Sequence, residues 1–226
     1  MDALVFDFDG VVIDSEPVHL RCFQQILAGE GIALADRDYW EKYLGFDDHD
    51  CFAAAAAAAG RKLAEPRIAE LTAAKSRLIR RAFAEDVQPL PGAVELIRSA
   101  ADAGVPVAVC SGALRDEIAL AARTVGVADC FGAVVAAEDV RRGKPDPEGY
   151  ALALRRLGEA TGTAVRAARS LAVEDSPAGI DAARAAGMNA LAVTNSYPAD
   201  RLARAGRVVA CLADVTLADL EALAGS

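Results

Sequence analysis

Short unbroken apolar runs and longer stretches of helical period divide this chain into two kinds of territory. Ala3–Phe8 is apolar except at Asp7 and is closed by Asp9 and Gly10, which predicts a fully buried strand. Ser15 reads as an N-cap, with Pro17 in the first turn of a helix that reaches about Ala28 and stops at Gly29 and Gly31. From there to about Ala84 every pattern is helical. Asp36–Leu44 ends at Gly45, Asp47–Ala59 ends at Gly60, and Glu65–Ala84 opens with Pro66. The alanine-rich run Ala53–Ala59 fits this reading, because alanine is the best helix former. Two prolines and a glycine in Val87–Gly92 then break the pattern and read as a linker.

Beyond the linker the two patterns alternate. Helical stretches at Ala93–Ala103, Ala113–Val125, Pro147–Leu157 and Pro177–Ala186 separate apolar runs at Val105–Cys110, Gly132–Ala136, Ser170–Val173 and Asn189–Val193. Val208–Leu212 reads as an edge strand before a short terminal helix. Alternating β and α elements predict an α/β fold, a Rossmann-like doubly wound parallel sheet with helices on both faces. The first strand is split from the rest of its sheet by an all-helical insertion. The expected domains are a core of residues 1–15 with 89–226 and a small helical cap of residues 16–88. An insertion that leaves and re-enters through short linkers can move as a lid.

In open parallel sheets, ligands bind beyond the carboxyl ends of the strands. The first strand delivers Asp7 and Asp9 there, the second Ser111 and Gly112, the loop after the third Lys144, and the fourth Glu174 and Asp175. Polar groups from distant stretches of sequence thus converge on one rim. Two like charges 4 Å apart repel by about 4 kcal/mol at an effective dielectric near 20, so four carboxylates share a pocket only if some protonate or a cation joins them. An oxygen-only donor set without His or Cys selects a hard ion, and Mg²⁺ suits few carboxylates plus a phosphate. Helix capping at Pro177 by Ser176 or Asp175 explains one of these acids and not the others.

Asp7 and Asp9, two apart at the end of a strand, can both face the site. One carboxylate can attack phosphorus while the other protonates the leaving oxygen and later deprotonates water. Gly10 permits the sharp turn that follows. An EF-hand loop is the competing reading of this segment, but it needs more acids, a later glycine and a flanking helix where a strand stands here. Lys144 lies between Gly143 and the prolines at 145 and 147, which stiffen its loop and suit it to balancing carboxylate and phosphate charge. Ser111 and Gly112 offer a hydroxyl and backbone N–H groups to phosphate oxygens.

Composition narrows the partners. The net charge is −9, which disfavours nucleic acid and anionic membrane surfaces, and no basic patch interleaved with aromatics appears. The longest apolar run, Ala53–Ala59, is too short to span a bilayer. The five cysteines include no C-x-x-C pair and are odd in number, as free thiols of a reducing compartment would be. No basic, apolar leader is seen, so a cytoplasmic protein is expected, with a small phosphorylated metabolite and no obligate protein partner.

The segments D-F-D-G-V-V-I-D-S, C-S-G, G-K-P-D-P and V-E-D-S-P-A-G-I, in this order, resemble the motifs of the haloacid dehalogenase superfamily of hydrolases. The resemblance implies Asp7 as nucleophile and Asp9 as acid/base. It implies Ser111 and Lys144 as phosphate contacts, and Mg²⁺ held by Asp7, Glu174, Asp175 and the backbone carbonyl of Asp9. The helical insertion is similar to the small cap of the β-phosphoglucomutase and phosphoglycolate phosphatase branch. In that branch His19 matches a cap-hinge histidine, Gly45 the glycine of a substrate-specificity loop, and Lys75 a cap lysine. As residues alone, these three read equally as a surface histidine, a helix stop and a solvated lysine.

Departures from the branches refine the expectation. Dehalogenases lack the second motif aspartate, so Asp9 argues for phosphoryl transfer. The phosphonate-cleaving branch places a Schiff-base lysine just after the cap glycine, where this chain has Phe46, Asp47 and Asp48. A phosphatase is therefore expected, working through an aspartyl phosphate. A sugar phosphomutase is the alternative, and a non-catalytic phospho-acceptor module like a receiver domain is a third reading. Resemblance to β-phosphoglucomutase places a distal-phosphate arginine three residues after the cap glycine, and Asp48 stands there. Further polar contacts expected after the motif serine are replaced by Ala113 and Leu114, with Arg77 and Arg115 as partial substitutes.

Overall fold

The computed structural model describes residues 1–44, 46–85 and 87–225. Its chain contacts divide it into two units, Met1–Asp14 with Val87–Ser226, and Ser15–Asp86.

The first unit is built on six parallel strands: β1 (Ala3–Phe6), β2 (Val107–Cys110), β3 (Ala133–Val135), β4 (Ser170–Glu174), β5 (Asn189–Val193) and β6 (Arg207–Val209). Their spatial order is β3-β2-β1-β4-β5-β6, so the first strand in sequence is central and the strand order reverses beside it. Leu4 pairs with Val107 on one side and with Leu171 on the other. All of β1, β2 and β4 is buried, as expected where helices cover both faces. Ala3 and Val5 pack on one face with Tyr150, Ala153, Leu157 and Ile180. The edge strand is shorter and earlier than its sequence pattern, because Val208 and Val209 pair with Ala192 and Val193 and the chain then turns away at Cys211.

The helical unit contains α1 (Glu16–Gly29), α2 (Asp36–Asp38), α3 (Asp48–Ala58) and α4 (Glu65–Glu85). Leu20, Phe23, Leu27, Phe52, Ile68 and Leu71 form its core. Two local expectations are corrected. The stretch Asp36–Leu44 is not one α-helix: after α2 it widens into a π-helical turn over Tyr39–Tyr43. Leu44 N–H donates to Tyr39 O at 3.0 Å, and Tyr39 and Tyr43 are both buried in this unit's core. Ser15 does precede α1, but its hydroxyl makes no capping bond. Its backbone is already near-helical, and its carbonyl accepts from Val18 and His19 instead.

In the α/β unit the remaining helices are α5 (Ala93–Asp102), α6 (Arg115–Thr124), α7 (Glu148–Thr161), α8 (Pro177–Ala185) and α9 (Leu217–Ala224). α7 runs a turn beyond its expected end at Leu157. The stop is Gly162, whose φ of 68° is left-handed. Ser176 caps α8, its hydroxyl accepting from Gly179 N–H at 3.1 Å. Among the described residues no helix is long and apolar enough to cross a membrane.

Candidate active site

The carboxyl ends of β1 and β4 and the loop after β3 bring the expected charges together. Carboxylate oxygens of Asp7, Glu174 and Asp175 lie within 4.8 Å of one another. Lys144 Nζ is 3.0 Å from Asp7 Oδ1 and 2.5 Å from Glu174 Oε1. Its peptide bond to Pro145 is cis. Burial pulls the Lys144 ammonium down, but Asp7 and Glu174 push harder the other way and hold it above the usual lysine range. Burial raises Asp7 to about 7; Lys144 opposes this, while Glu174 and Asp9 add to it. Asp175 is raised for the same reason, first by burial and then by Asp7 and Glu174. One ammonium thus does not neutralise the cluster. The donor set is all oxygen and short of positive charge, so it fits a hard divalent cation.

Ser111 Oγ is 3.4 Å from Asp9 Oδ2 and accepts from Ala113 N–H at 3.0 Å. Gly112 follows at the same strand end, with open space where a Cβ would stand. Gly10 has no such freedom. Its φ is 72°, and a Cβ there would lie 2.0 Å from Asp175 Oδ2. Gly179 is equally constrained, since a Cβ would meet the Glu174 carboxylate at 1.8 Å.

Several residues of this rim were not found in the sequence. The Tyr150 hydroxyl donates to Glu174 Oε1 at 2.7 Å. Ser196 Oγ donates to Asp175 Oδ2, and Asn195 Nδ2 donates to Gly10 O at 2.8 Å. Asn195 and Ser196 follow β5, so the strand-end rule that found Ser111 would have found them. Tyr150 carries no such signal, because a tyrosine on the apolar face of a helix reads as core.

The other sequence-derived candidates lie in the helical unit. Lys75 Nζ is 2.8 Å from His19 Nδ1 and 2.5 Å from Asp48 Oδ1, and sits 4.1 Å from the centroid of the Phe23 ring. Burial, and then Lys75, lower the His19 imidazole well below its ordinary value, so it is neutral beside the ammonium. Gly45 lies outside the described residues. All five cysteines are free.

A doubly wound parallel sheet with two aspartates just past its first strand, acids at the end of its fourth and a lysine in the loop after its third is the frame of a hydrolase of the α/β class. The sequence profile of the haloacid dehalogenase-like hydrolases matches residues 1–187, and the chain belongs to that family. Its named relatives put it on the phosphatase side. It is 31% identical over 216 residues to validoxylamine A 7'-phosphate phosphatase of Streptomyces hygroscopicus subsp. limoneus, covering 96% of this chain and 92% of that protein. It is 29% identical over 190 residues to the fructose-1-phosphate phosphatase YqaB of Escherichia coli, covering 84% and 95%. The crystal structure of CbbY from Rhodobacter sphaeroides in complex with phosphate superimposes with a TM-score of 0.86 at 27% identity, covering 98% of this chain and 99% of that one.

Proposed function

We propose that this protein hydrolyses a small phosphorylated carbohydrate, with Mg²⁺, through an aspartyl phosphate on Asp7. The observation that carries the reading is the juxtaposition of Asp7 with Lys144, Glu174 and Asp175 on one strand-end rim. An oxygen of the Asp7 carboxylate attacks phosphorus as the bond from phosphorus to the ester oxygen breaks, and Asp9 gives the departing alkoxide its proton. Water then attacks the phosphoryl group, Asp9 takes a proton from it, and Asp7 is released with orthophosphate. Lys144 and Ser111, with the backbone N–H of Gly112, hold the phosphoryl oxygens throughout. Asp7, Glu174, Asp175 and the carbonyl of Asp9 would hold Mg²⁺, which when bound supplies charge that lets an anionic nucleophile approach an anionic phosphate. The carbohydrate class follows from relatives named for validoxylamine A 7'-phosphate and fructose 1-phosphate.

The helical unit serves in this reading as the cap, with His19, Gly45 and Lys75 on the substrate side of recognition. Hydrolysis is preferred to mutase chemistry because Asp48 stands where the resemblance places an arginine. Its carboxylate is paired with Lys75, so this part of the cap has little cationic charge left for a second phosphate. A cytoplasmic workplace suits the five free thiols. The test is orthophosphate release from sugar phosphates, phosphoglycolate and nucleotides with Mg²⁺. Sugar phosphates are expected to be the best substrates, and release from none of the panel would end the reading. Supplied with β-glucose 1-phosphate and a catalytic amount of the bisphosphate, the enzyme is expected to yield orthophosphate. Faster accumulation of glucose 6-phosphate would establish the mutase instead.

A further inference from the structure

We propose that Tyr150 is a positioning residue for Lys144, acting through the one Glu174 oxygen that both side chains share; this rests on the phosphatase reading above. Glu174 is 0% exposed, and its two oxygens have separate hydrogen-bond partners. Oε2 accepts from Ser176 Oγ at 2.9 Å and from the backbone N–H groups of Asp175 and Ser176 at 3.2 and 3.3 Å. These donors belong to the turn into α8, so they fix the carboxylate to the backbone. Oε1 accepts from Tyr150 Oη at 2.7 Å and from Lys144 Nζ at 2.5 Å. Gly179 leaves no room behind the carboxylate for a side chain to displace it.

Tyr150 is suited to this task by its rigidity. It is fully buried in the first turn of α7, packed with Val5, Ala108 and Ile180. A ring so enclosed presents its hydroxyl at one point, with little rotamer freedom left. The Lys144 ammonium lies 5.3 Å from the Tyr150 ring centroid, so the same residue bounds the ammonium on one side and anchors its acceptor. Lysine has a flexible stem and strongly hydrated head. Its placement 3.0 Å from Asp7 Oδ1 therefore depends on a partner that does not move. Tyr150 supplies the second donor that keeps Oε1 in line, so that Lys144 meets Asp7 and the phosphoryl oxygens at one fixed position.

The experiment is a double-mutant cycle between Tyr150→Phe and Lys144→Met, read in kcat and KM for the best phosphate ester of the panel. Tyr150→Phe keeps the ring and is expected to lower kcat by roughly 10–100-fold, the usual effect of removing an outer partner, with KM changed much less. In the Lys144→Met background the same substitution is expected to have little further effect, because its target is gone. Fully additive losses, or a loss confined to KM, would overturn the proposal. Thermal unfolding is followed in parallel. A Tyr150→Phe chain that no longer unfolds cooperatively would also overturn it, since Tyr150 would then be a residue of the core and not of the site. A crystal structure of Tyr150→Phe separates this proposal from the functional reading. Lys144 Nζ is expected to leave hydrogen-bond reach of Asp7, and an unchanged contact defeats the positioning role whether or not the wild-type chain hydrolyses phosphate esters.

Discussion

In the α/β unit three clustered carboxylates share one lysine, Lys144; in the helical unit one carboxylate, Asp48, and a neutral histidine share another, Lys75. Both clusters withdraw charge from water, yet only the second is balanced. Burial raises Asp7 to about 7 and leaves Asp175 raised as well, so the first cluster is energetically incomplete by itself. The lysine of the second is 1% exposed, and its partner carboxylate is 31% exposed and close enough to pair with it. Like charges buried together with too few counter-charges repel one another, whereas a carboxylate paired with an ammonium does not. The same chemical change, Asp to Asn, is therefore expected to act in opposite directions in the two units.

The largest effect is expected from Asp7→Asn, which removes the nucleophile and should lower kcat by at least about 10³-fold. The folded apo chain should be no less stable, because a repelled charge is lost. Near-normal turnover would refute the nucleophile assignment. Asp9→Asn should slow turnover by ~10²–10⁴-fold, with an activated aryl phosphate suffering less than an alkyl phosphate, which depends more on protonation of its leaving oxygen. Equal losses on both esters would remove Asp9 from acid–base duty. Excess chelator should abolish activity and Mg²⁺ restore it, while Ca²⁺, with its longer and more numerous oxygen contacts, should restore it poorly. Full activity in chelator would sink the metal assignment.

In the helical unit, Asp48→Asn strands a buried ammonium and is expected to destabilise the chain by about 1–3 kcal/mol. Lys75→Met fills similar space and leaves an anion that water can reach, so its cost should be smaller. Chemical denaturation of the two variants compares them, and the reverse order would break the contrast between the units.

The last expected effect is on the pH dependence of the apo chain. The Asp7 carboxyl is raised from 3.8 to about 7, so the folded chain binds more protons than the unfolded one between these values. Its contribution to stability is full below the unfolded value and is lost as pH rises through the folded value. In chelator the melting temperature should fall from pH 5 to pH 8, and Asp7→Asn should flatten that fall. An unchanged slope in the variant would show that other groups govern it.

The sheet was legible in the sequence because its strands are short apolar runs between polar residues, and because helices alternate with them. Asp7, Asp9, Ser111, Lys144, Glu174 and Asp175 were legible for the same reason: each stands where an apolar run ends or in the loop that follows. Tyr150 was not, since its function depends on a carboxylate 24 residues away and its own position looks apolar. The π-helical turn at Tyr39–Tyr43 escaped as well. Its residues have ordinary helical spacing, and the wider turn goes with the burial of both tyrosines in this unit's core. The pairing of Lys75 with His19 and Asp48 was likewise invisible, because three segments of the helical unit meet there.

The central place of β1 has a consequence for how the chain is made. Ala3–Phe6 leaves the ribosome before the other strands of its sheet, yet its neighbours begin at Val107 and Ser170. At a synthesis rate of ~5–20 residues per second, that apolar strand waits roughly 5–20 s for its first partner and longer for its second. Throughout that interval both of its edges are open to foreign strands. Nascent chains should therefore lean on holdase chaperones until β2 emerges. A circular permutant that begins at residue 87 and delivers β1 last, with β2 and β4 already made, should be released from that dependence and aggregate less during synthesis.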